Sequence, residues 1–176
     1  MKRKRIVVLC GVIVVCGIFI GIIWFSVYSR SQDVTFDPEK TYLVARVLDG
    51  DTFDIRVGKK IVTIRMLGID TPETVDPRRP AECFGTEASA ETKRLLSGRF
   101  VRLQLSPKRE VRDKYGRYLA YTYLDNGLSI NEHLIKKGYA REYTYGSAYS
   151  LRDEFRKLQK EAVKNKRGLW GACDVS

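Results

Sequence analysis

The feature that most restricts how this chain can fold is an uncharged apolar run of 23 residues, IVVLCGVIVVCGIFIGIIWFSVY, at positions 6–28. As a helix it would be about 34 Å long, enough to cross a hydrocarbon core of about 30 Å. Positions 1–5 are mostly basic and only Arg30 follows closely, so the positive-inside rule predicts a cytoplasmic N-terminus. We therefore predict a transmembrane anchor at 6–28, with the rest of the chain on the outer side of the membrane.

A cleavable signal peptide is the alternative interpretation of this run. Signal peptides have an apolar stretch of about 7–15 residues and end in a small-x-small cleavage site. The run here is longer, and SVYSRS at 26–31 offers a poor site. The sequence favours the uncleaved anchor, with secretion after cleavage as the alternative.

The remainder of the chain has the size of one domain. Positions 29–40 are predicted to be a short linker and 41–176 a folded domain. Residues 31–176 hold all 21 acidic residues and all but five of the 32 basic ones, so their net charge is 27 − 21 = +6. A basic external domain suits a polyanionic partner.

Strand-like patterns dominate the first half of this domain. Asp-Gly and Gly-Lys-Lys turns separate the first three strands, and a polar loop and a helix over 86–98 follow them. Five short strands with a helix after the third predict an OB-type five-stranded Greek-key barrel of the α+β class. The predicted strands are at 41–48, 52–57, 60–69, 100–106 and 117–124.

Two further helices are predicted after the fifth strand. Ser129 and Glu132 have the spacing of a capping box, and Gly138 ends that helix. Ser150 and Asp153 have the same spacing at the start of the last helix, whose apolar residues recur on one face. The sequence therefore predicts a barrel with three helices.

Acidic residues gather where the predicted strands end. Asp51 opens the second strand, and Asp70 and Glu73 close the third in the stretch IDTPET. Because these strands are antiparallel neighbours, Asp51 and Asp70 meet at one mouth of the barrel, where they repel unless a cation lies between them. Ca²⁺ fits, since it takes carboxylate and backbone carbonyl oxygens, and Thr71 offers such a carbonyl. Taken alone, IDTPET favours a plain turn, with the metal or catalytic site as the alternative.

Arginines supply the complementary positive charge. Arg65 lies on the third strand, and Arg117 follows a turn that also contains Lys114 and Tyr115. A guanidinium binds phosphate bidentately, and together with a metal it stabilises the charge that a phosphodiester gains under attack. Glu73 is then available to orient or deprotonate a water. A surface role is the alternative for each arginine taken singly.

The histidine, tyrosine and cysteine residues further restrict which catalytic mechanisms, ligand contacts and crosslinks are possible in this domain. His133 is the only histidine, which excludes mechanisms that need two and histidine-rich zinc sites. Tyr143 and Tyr145 alternate on an extended stretch, so they can stack on bases or bind a phosphate, with packing on the barrel rim as the alternative. Cys83 and Cys173 can form a disulfide outside the cytoplasm, with two free thiols as the alternative.

Six stretches, taken together and in this order, resemble the thermonucleases, the staphylococcal nuclease-like family. The resemblance covers about residues 42–170. It implies an OB-type barrel with three helices and Ca²⁺-dependent endonucleolytic cleavage of DNA and RNA that leaves 3′-phosphate ends. The stretches are VLDGDTFDI, IRMLGIDTPET, FGTEAS, DKYGRYLAY, SINEHLIKKGYA and GLW.

The resemblance also implies roles for the acidic residues and their neighbour. Asp51 and Asp70 match the calcium carboxylates, and Thr71 matches the residue that gives its carbonyl oxygen. Glu73 matches the glutamate that acts as general base or orients the attacking water. No catalytic position departs from the family pattern.

The basic and aromatic positions match as well. Arg65 and Arg117 match the phosphate-binding arginines, and Arg117 is also implied to assist the leaving 5′-oxygen. The departures are peripheral: Gly146 replaces a proline-containing turn, and the archetype of the family has no cysteine. The positions implied to contact the nucleotide are Lys114, Tyr115, Tyr143 and Tyr145.

The leading hypothesis is a membrane-tethered extracellular nuclease with a monomeric catalytic domain. A non-catalytic OB-type module that binds nucleic acid is the main alternative, and a surface protein without a nucleic-acid role is another. A binding module has no need for a complete catalytic set, so that set favours the enzyme. The set is Asp51, Asp70, Glu73, Arg65 and Arg117.

Overall fold

The chain divides into two compact units between Thr35 and Phe36, and the fold described below belongs to the second unit. The predicted anchor at 6–28 lies outside the described residues. Within the described part of the chain, no helix is long and apolar enough to cross a membrane. The computed structural model describes residues 34–74, 80–105, 111–145 and 148–174.

Five strands close into a barrel, and two more form a short ribbon beside it. The strands are β1 (Thr41–Asp49), β2 (Thr52–Val57), β3 (Lys60–Met66), β4 (Ile69–Asp70), β5 (Phe100–Leu105), β6 (Tyr118–Leu124) and β7 (Arg141–Glu142). Around the barrel the order is β1-β2-β3-β6-β5, closed by antiparallel pairing of β5 with β1. Among the strands of the described residues, only β3 and β6 pair in parallel. The predicted five-stranded barrel is confirmed.

The barrel interior follows from the alternation of side chains along its strands. On β3, Val62, Ile64 and Met66 point inwards and are buried, while the residues between them are partly exposed. Phe53 and Leu103 reach the same interior from β2 and β5 and are fully buried. Interior packing therefore sets the register of β3, and with it the placement of the polar residues at its end.

The third strand is shorter than predicted. It ends at Met66, and Gly68 then turns the chain in a left-handed conformation with a φ of 80°. Ile69 and Asp70 leave the barrel and pair with β7 instead. The prediction of one strand over 60–69 was wrong because it took no account of this turn, which only glycine adopts readily.

Four helices surround the barrel in the described residues: α1 (Gly85–Leu96), α2 (Ile130–Lys137), α3 (Arg152–Lys164) and the single turn α4 (Leu169–Ala172). The capping box on α2 is confirmed, since the Ser129 hydroxyl accepts from the Glu132 amide at 3.3 Å. Gly138 ends α2 with a φ of 77°. The three predicted helices are present, and α4 is additional.

The predicted cap on α3 was wrong. Ser150 and Asp153 do not form it; the helix begins at Arg152 after Leu151, without a side-chain cap. The Leu151 amide donates to the Tyr121 hydroxyl at 3.4 Å, and the Arg152 amide donates to the carbonyl before Ser150. Contacts with the core thus direct the chain into α3, and capping has no part in it.

A disulfide joins Cys83, just before α1, to Cys173, just after α4. The two sulphurs are 2.00 Å apart, and the bond spans 90 residues of sequence. A crosslink over a loop of that length removes much of the conformational freedom of the unfolded chain.

Helices α1 and α2 are linked by a small charged cluster. Arg94 donates two hydrogen bonds to the Glu91 carboxylate, at 2.7 and 2.8 Å, and His133 Nε2 lies 2.8 Å from the same group. The hydrogen bonds from Arg94 and the contact with His133 together lower the pKa of Glu91 from 4.5 to about 2, against the opposing effect of burial. Glu91 therefore stabilises the fold in its ionised form.

Replacing Gly68 by alanine should strongly destabilise the protein. An added Cβ would lie 2.6 Å from the Tyr149 ring, and the backbone would remain in the left-handed region. We expect a loss of about 2–4 kcal/mol in the free energy of unfolding, measured by urea denaturation. Gly58→Ala is the matched control: it has a φ of 60° but no neighbour within 4 Å, so it should cost only about 1 kcal/mol. Equal losses for the two variants would contradict the close packing at Gly68.

Glu91→Gln should lower the melting temperature by roughly 5 °C at neutral pH. A carboxyl group with a lowered pKa stabilises the fold above its unfolded value and loses that effect as pH falls through the folded value. The difference between variant and wild type should shrink below pH 4.5 and vanish near pH 2. Thermal melts followed by circular dichroism measure it, with the exposed Glu87→Gln as the control. A difference that does not depend on pH would count against this role of Glu91.

Candidate active site

Three charged side chains meet where β2 begins and β3 ends. Thr52 pairs with Arg65 across the two strands, which brings Asp51 beside the Arg65 side chain. Arg65 Nη2 lies 2.9 Å from Asp51 Oδ2 and 2.8 Å from Asp70 Oδ1. The two carboxylates therefore meet as the sequence predicts, and the cation that lies between them is the guanidinium of Arg65.

The orientation of Arg65 is set by the turn that follows its own strand. Its Nη1 donates to the carbonyl oxygens of Met66 at 3.1 Å and of Ile69 at 2.8 Å. These two carbonyls flank Gly68, so the left-handed turn there presents both hydrogen-bond acceptors to the guanidinium. The side chain of Arg65 is only 13% exposed. A guanidinium held in this way loses little further freedom when an anion binds to it.

Asp51 and Thr71 are held together at the same mouth. The Thr71 amide donates to Asp51 Oδ2 at 3.1 Å, and the Thr52 hydroxyl donates to Asp51 Oδ1 at 2.8 Å. The Thr71 hydroxyl is buried and has no hydrogen-bond partner in the described structure. A buried polar atom without a partner, among carboxylates, indicates a place for a water or an ion.

Asp70 is the more accessible of the two aspartates. Its side chain is 49% exposed, against 8% for Asp51. Burial raises the pKa of Asp70 above its ordinary value, Arg65 opposes the rise, and the Asp51 carboxylate adds to it. A second positive charge beside Asp70 would therefore stabilise its ionised form.

Glu73 lies at the start of a loop whose two ends are bonded together. The Glu82 amide donates to the Glu73 carbonyl at 2.9 Å, and the Glu73 amide donates to Glu82 Oε2 at 3.3 Å. Glu73 Oε1 accepts from the Thr74 amide at 3.0 Å, and the Thr74 hydroxyl donates to Asp49 at 2.6 Å. Burial raises the pKa of Asp49, the Thr74 hydroxyl opposes the rise, and the Glu73 carboxylate adds to it. Glu73 thus lies within electrostatic range of the acidic mouth.

Arg117 is oriented by Asp113, a residue that is not among those predicted from the sequence. Asp113 Oδ1 accepts from the amides of Tyr115 and Arg117 at 2.9 and 3.0 Å, which shapes the turn, and Oδ2 accepts from Arg117 Nε at 2.7 Å. Arg117 Nη1 approaches the Thr52 hydroxyl at 3.5 Å, next to Asp51. Arg117 therefore faces the same mouth as Arg65. The sequence signal that could have identified Asp113 is its place at the start of a turn with glycine three residues later.

An open cavity of about 250 Å³ lies next to these residues. The stacked rings of Tyr143 and Tyr145, 6.4 Å apart and inclined by 22°, form part of its wall. Lys114 Nζ and the Arg117 guanidinium lie 5.0 and 5.3 Å from the centre of the Tyr115 ring. The three tyrosines are 46–71% exposed. Exposed rings beside cationic groups suit unpaired bases and their phosphates.

A second set of hydrogen bonds holds the β4–β7 ribbon in place. The Tyr149 hydroxyl lies within bonding distance of Glu142 Oε1, at 2.9 Å, and of the Gly68 carbonyl, at 3.1 Å. Burial raises the pKa of Tyr149 well above its ordinary value, and the Glu142 carboxylate adds to the rise. Arg156 on α3 donates to Glu142, and the Tyr143 amide donates to Gly68. The ribbon thus connects the turn beneath Arg65 to the tyrosines of the cavity.

The structure therefore brings together most of the residues singled out in the sequence. Cys83 directly follows Glu82, which is bonded to Glu73, and forms the disulfide with Cys173. Other supporting residues were missed because they act through contacts between distant segments. These are Glu82, Asp113, Tyr149 and the buried Asn131, which donates to the Leu67 carbonyl at 2.8 Å.

Comparison with known proteins agrees with this arrangement. The sequence model of a family described as staphylococcal nuclease homologue matches residues 63–172. A thermonuclease of Staphylococcus hyicus is 40% identical over 162 residues, which cover 90% of this chain and 94% of that protein. A thermonuclease of Staphylococcus intermedius is 41% identical over 131 residues, 74% of this chain and 76% of the relative. An SPbeta prophage-derived endonuclease of Bacillus subtilis is 39% identical over 139 residues, 78% of this chain and 44% of the relative.

The family match covers β4 to β7, all four helices and most of β3. It includes Arg65, Asp70, Glu73 and Arg117, and the Staphylococcus hyicus protein is similar over nine tenths of the chain. The closed barrel and the charged cluster at its mouth lie within this similarity. The chain belongs to the staphylococcal nuclease family.

Proposed function

We propose that this chain is a calcium-dependent endonuclease that hydrolyses phosphodiester bonds of DNA and RNA and leaves 3′-phosphate ends. Its family and its endonuclease relatives make it a nuclease hydrolase; the metal, the nucleic-acid substrates and the products are the proposal. The observation that carries it is the position of the Arg65 guanidinium, bonded to both Asp51 and Asp70 at the edge of an open cavity. Cationic groups at such an edge suit a phosphate.

The donor groups at the mouth fit a hard divalent cation. Asp51 and Asp70 offer carboxylate oxygens, and Thr71 offers a backbone carbonyl beside its unpartnered buried hydroxyl. No group of three or more acidic, histidine or cysteine side chains that could hold a metal occurs among the described residues. Two carboxylates with a carbonyl and waters still suffice for such an ion. The bound metal would neutralise charge on the phosphate and polarise a water.

The residues of the chain would divide the remaining tasks. Arg65 would stay bonded through Nη1 to the two carbonyls, and its Nη2 would exchange the two aspartates for the phosphate oxygens when a cation neutralises those carboxylates. Arg117, held by Asp113, would approach the same phosphate and stabilise charge on the leaving oxygen. Glu73 would orient or deprotonate the attacking water. Each of these interactions is stronger in the transition state than in the bound substrate.

The aromatic cavity would hold the nucleoside next to the cleaved bond. Tyr115, Tyr143 and Tyr145 offer exposed rings, and Lys114 adds a positive charge beside them. Stacking on such rings tolerates any base, which is consistent with action on both DNA and RNA. Unpaired nucleotides reach the rings more readily than paired ones.

We further propose that the run at 6–28 tethers a monomeric nuclease domain to the outer side of the membrane. The support is the length of the run and the basic residues before it. A calcium site of low affinity would be filled there, since extracellular modules bind Ca²⁺ with dissociation constants of about 10⁻⁴–10⁻³ M. Protease treatment of intact cells should then release nuclease activity from the surface.

Removal of divalent metal should abolish cleavage. The purified protein is expected to digest single-stranded DNA and RNA with added Ca²⁺ and to stop when a chelator is present, because the metal neutralises phosphate charge. Fluorescence from a quenched oligonucleotide measures the rate, and added excess Ca²⁺ should restore it. Activity that is unchanged by the chelator would exclude the metal from the reaction.

Glu73→Gln and Arg117→Gln should each lower kcat by about 10²–10⁴-fold with a smaller change in KM, because each residue acts mainly in the transition state. Initial rates over a range of oligonucleotide concentrations separate the two constants. The matched controls are Glu87→Gln and Arg102→Gln, which alter exposed groups on α1 and β5. A loss of only a few-fold in either test variant would assign that residue to substrate binding.

A further inference from the structure

Two hydrogen bonds between Glu73 and Glu82 close the loop that carries Glu73, and we call this closure the neck of the loop. The disulfide ends one residue from this neck. Cys83 directly follows Glu82, whose amide and carboxylate both bond to the backbone of Glu73, at 2.9 and 3.3 Å. The bond from Cys83 to Cys173 thus holds the far side of this neck. A shift of Cys83 would move Glu82 and therefore the backbone of Glu73.

The residue after Cys83 has an unfavourable backbone conformation. Phe84 has a φ of 68°, in the left-handed region that bulky side chains avoid. Such a conformation persists only where the surroundings impose it. Two contacts do so here: the Phe84 ring stacks on Tyr139 at 5.6 Å, and the disulfide holds the preceding residue. Phe84 is also the N-terminal boundary residue of α1.

The other end of the disulfide is anchored to the body of the domain. The Cys173 amide donates to the Leu169 carbonyl at 3.1 Å, and the Leu169 amide donates to the Gly138 carbonyl at 2.9 Å. Gly138 ends α2, which contacts β6 of the barrel. The bond therefore connects the neck of the loop to the barrel through α4 and α2.

The start of α1 packs directly on the segment that holds Glu73. A Cβ added to Gly85 would lie 2.8 Å from the Thr74 side chain, 3.0 Å from the Pro72 carbonyl and 3.2 Å from the Glu73 carbonyl. Glycine at this position permits that approach. A shift of α1 would therefore move the backbone on both sides of Glu73.

We propose that the Cys83–Cys173 disulfide is a positioning element for Glu73, so that breaking it lowers kcat in a protein that stays folded. The inference rests on the proposed function, in which Glu73 acts on the attacking water. Cys83 is exposed and accessible to a reductant. A dithiol such as dithiothreitol would supply two electrons and two protons, leaving thiols at Cys83 and Cys173 and a disulfide in the oxidised reductant.

The first test is the full chain with Cys83→Ser and Cys173→Ser together. We expect kcat to fall about 10–100-fold with KM unchanged within about twofold, at a temperature where circular dichroism shows the native fold. Dithiothreitol should cause the same fall in the wild type and no change in the double variant. That second comparison also controls for the two other cysteines of the chain, Cys10 and Cys16, which lie in the apolar run at 6–28.

A second test leaves the disulfide intact, in case its loss unfolds the chain. Glu82→Ala removes the acceptor for the Glu73 amide and should lower kcat, whereas Glu82→Gln keeps an acceptor oxygen and should restore most of it. Asp54→Asn is the matched stability control, since it weakens the contacts of β2 with β1 and β3 without touching α1 or the neck. It should leave kcat unchanged.

A double-mutant cycle distinguishes an effect on the position of Glu73 from a general loss of rigidity in the domain. In a Glu73→Gln background, removal of the disulfide should cost little further activity, since its effect acts through that carboxylate. Full kcat in a folded enzyme without the disulfide would overturn the inference. The inference would also be overturned if removing the disulfide lowered kcat as much in the Glu73→Gln background as in the wild type. Failure of the proposed function is distinguishable, because Glu73→Gln would then keep its kcat with the disulfide intact.

Discussion

The placement of the Arg65 guanidinium is the interaction on which the site depends. Its two terminal nitrogens do different things: Nη1 is bonded to the carbonyls that flank Gly68, and Nη2 is bonded to both aspartates. Two carboxylates at one barrel mouth would otherwise repel each other. Because backbone carbonyls hold Nη1, the shape of the β3–β4 turn sets the direction of the guanidinium.

That turn depends on elements far away in the sequence. The Tyr149 ring packs where a side chain at Gly68 would lie, and its hydroxyl is within bonding distance of the Gly68 carbonyl. Asn131 on α2 donates to the neighbouring Leu67 carbonyl. Residues from α2 and from the segment before α3 thus shape a turn that ends a barrel strand. The disulfide between Cys83 and Cys173 lies one residue from the neck of the Glu73 loop.

Much of the fold could be predicted from local patterns. The alternation on β3 and the capping box at Ser129 depend on neighbours two to four residues apart, and both are found in the structure. The continuous strand over 60–69 and the cap at Ser150 were wrong for a shared reason. In each case a buried tyrosine, Tyr149 or Tyr121, contacts the segment from a distant part of the chain, and local pattern does not show such contacts.

The sequence by itself determined the barrel, the acidic and basic residues at the ends of its strands, and the family to which the chain belongs. Side-chain period and turn residues are local properties, so they can be read in order along the chain. Only the tertiary structure decided that Arg65 lies between the aspartates, that Asp113 orients Arg117, and that Glu82 closes the loop of Glu73. The hydrogen bonds and ion pairs that do this require angstrom-level placement, which packing of the whole domain provides.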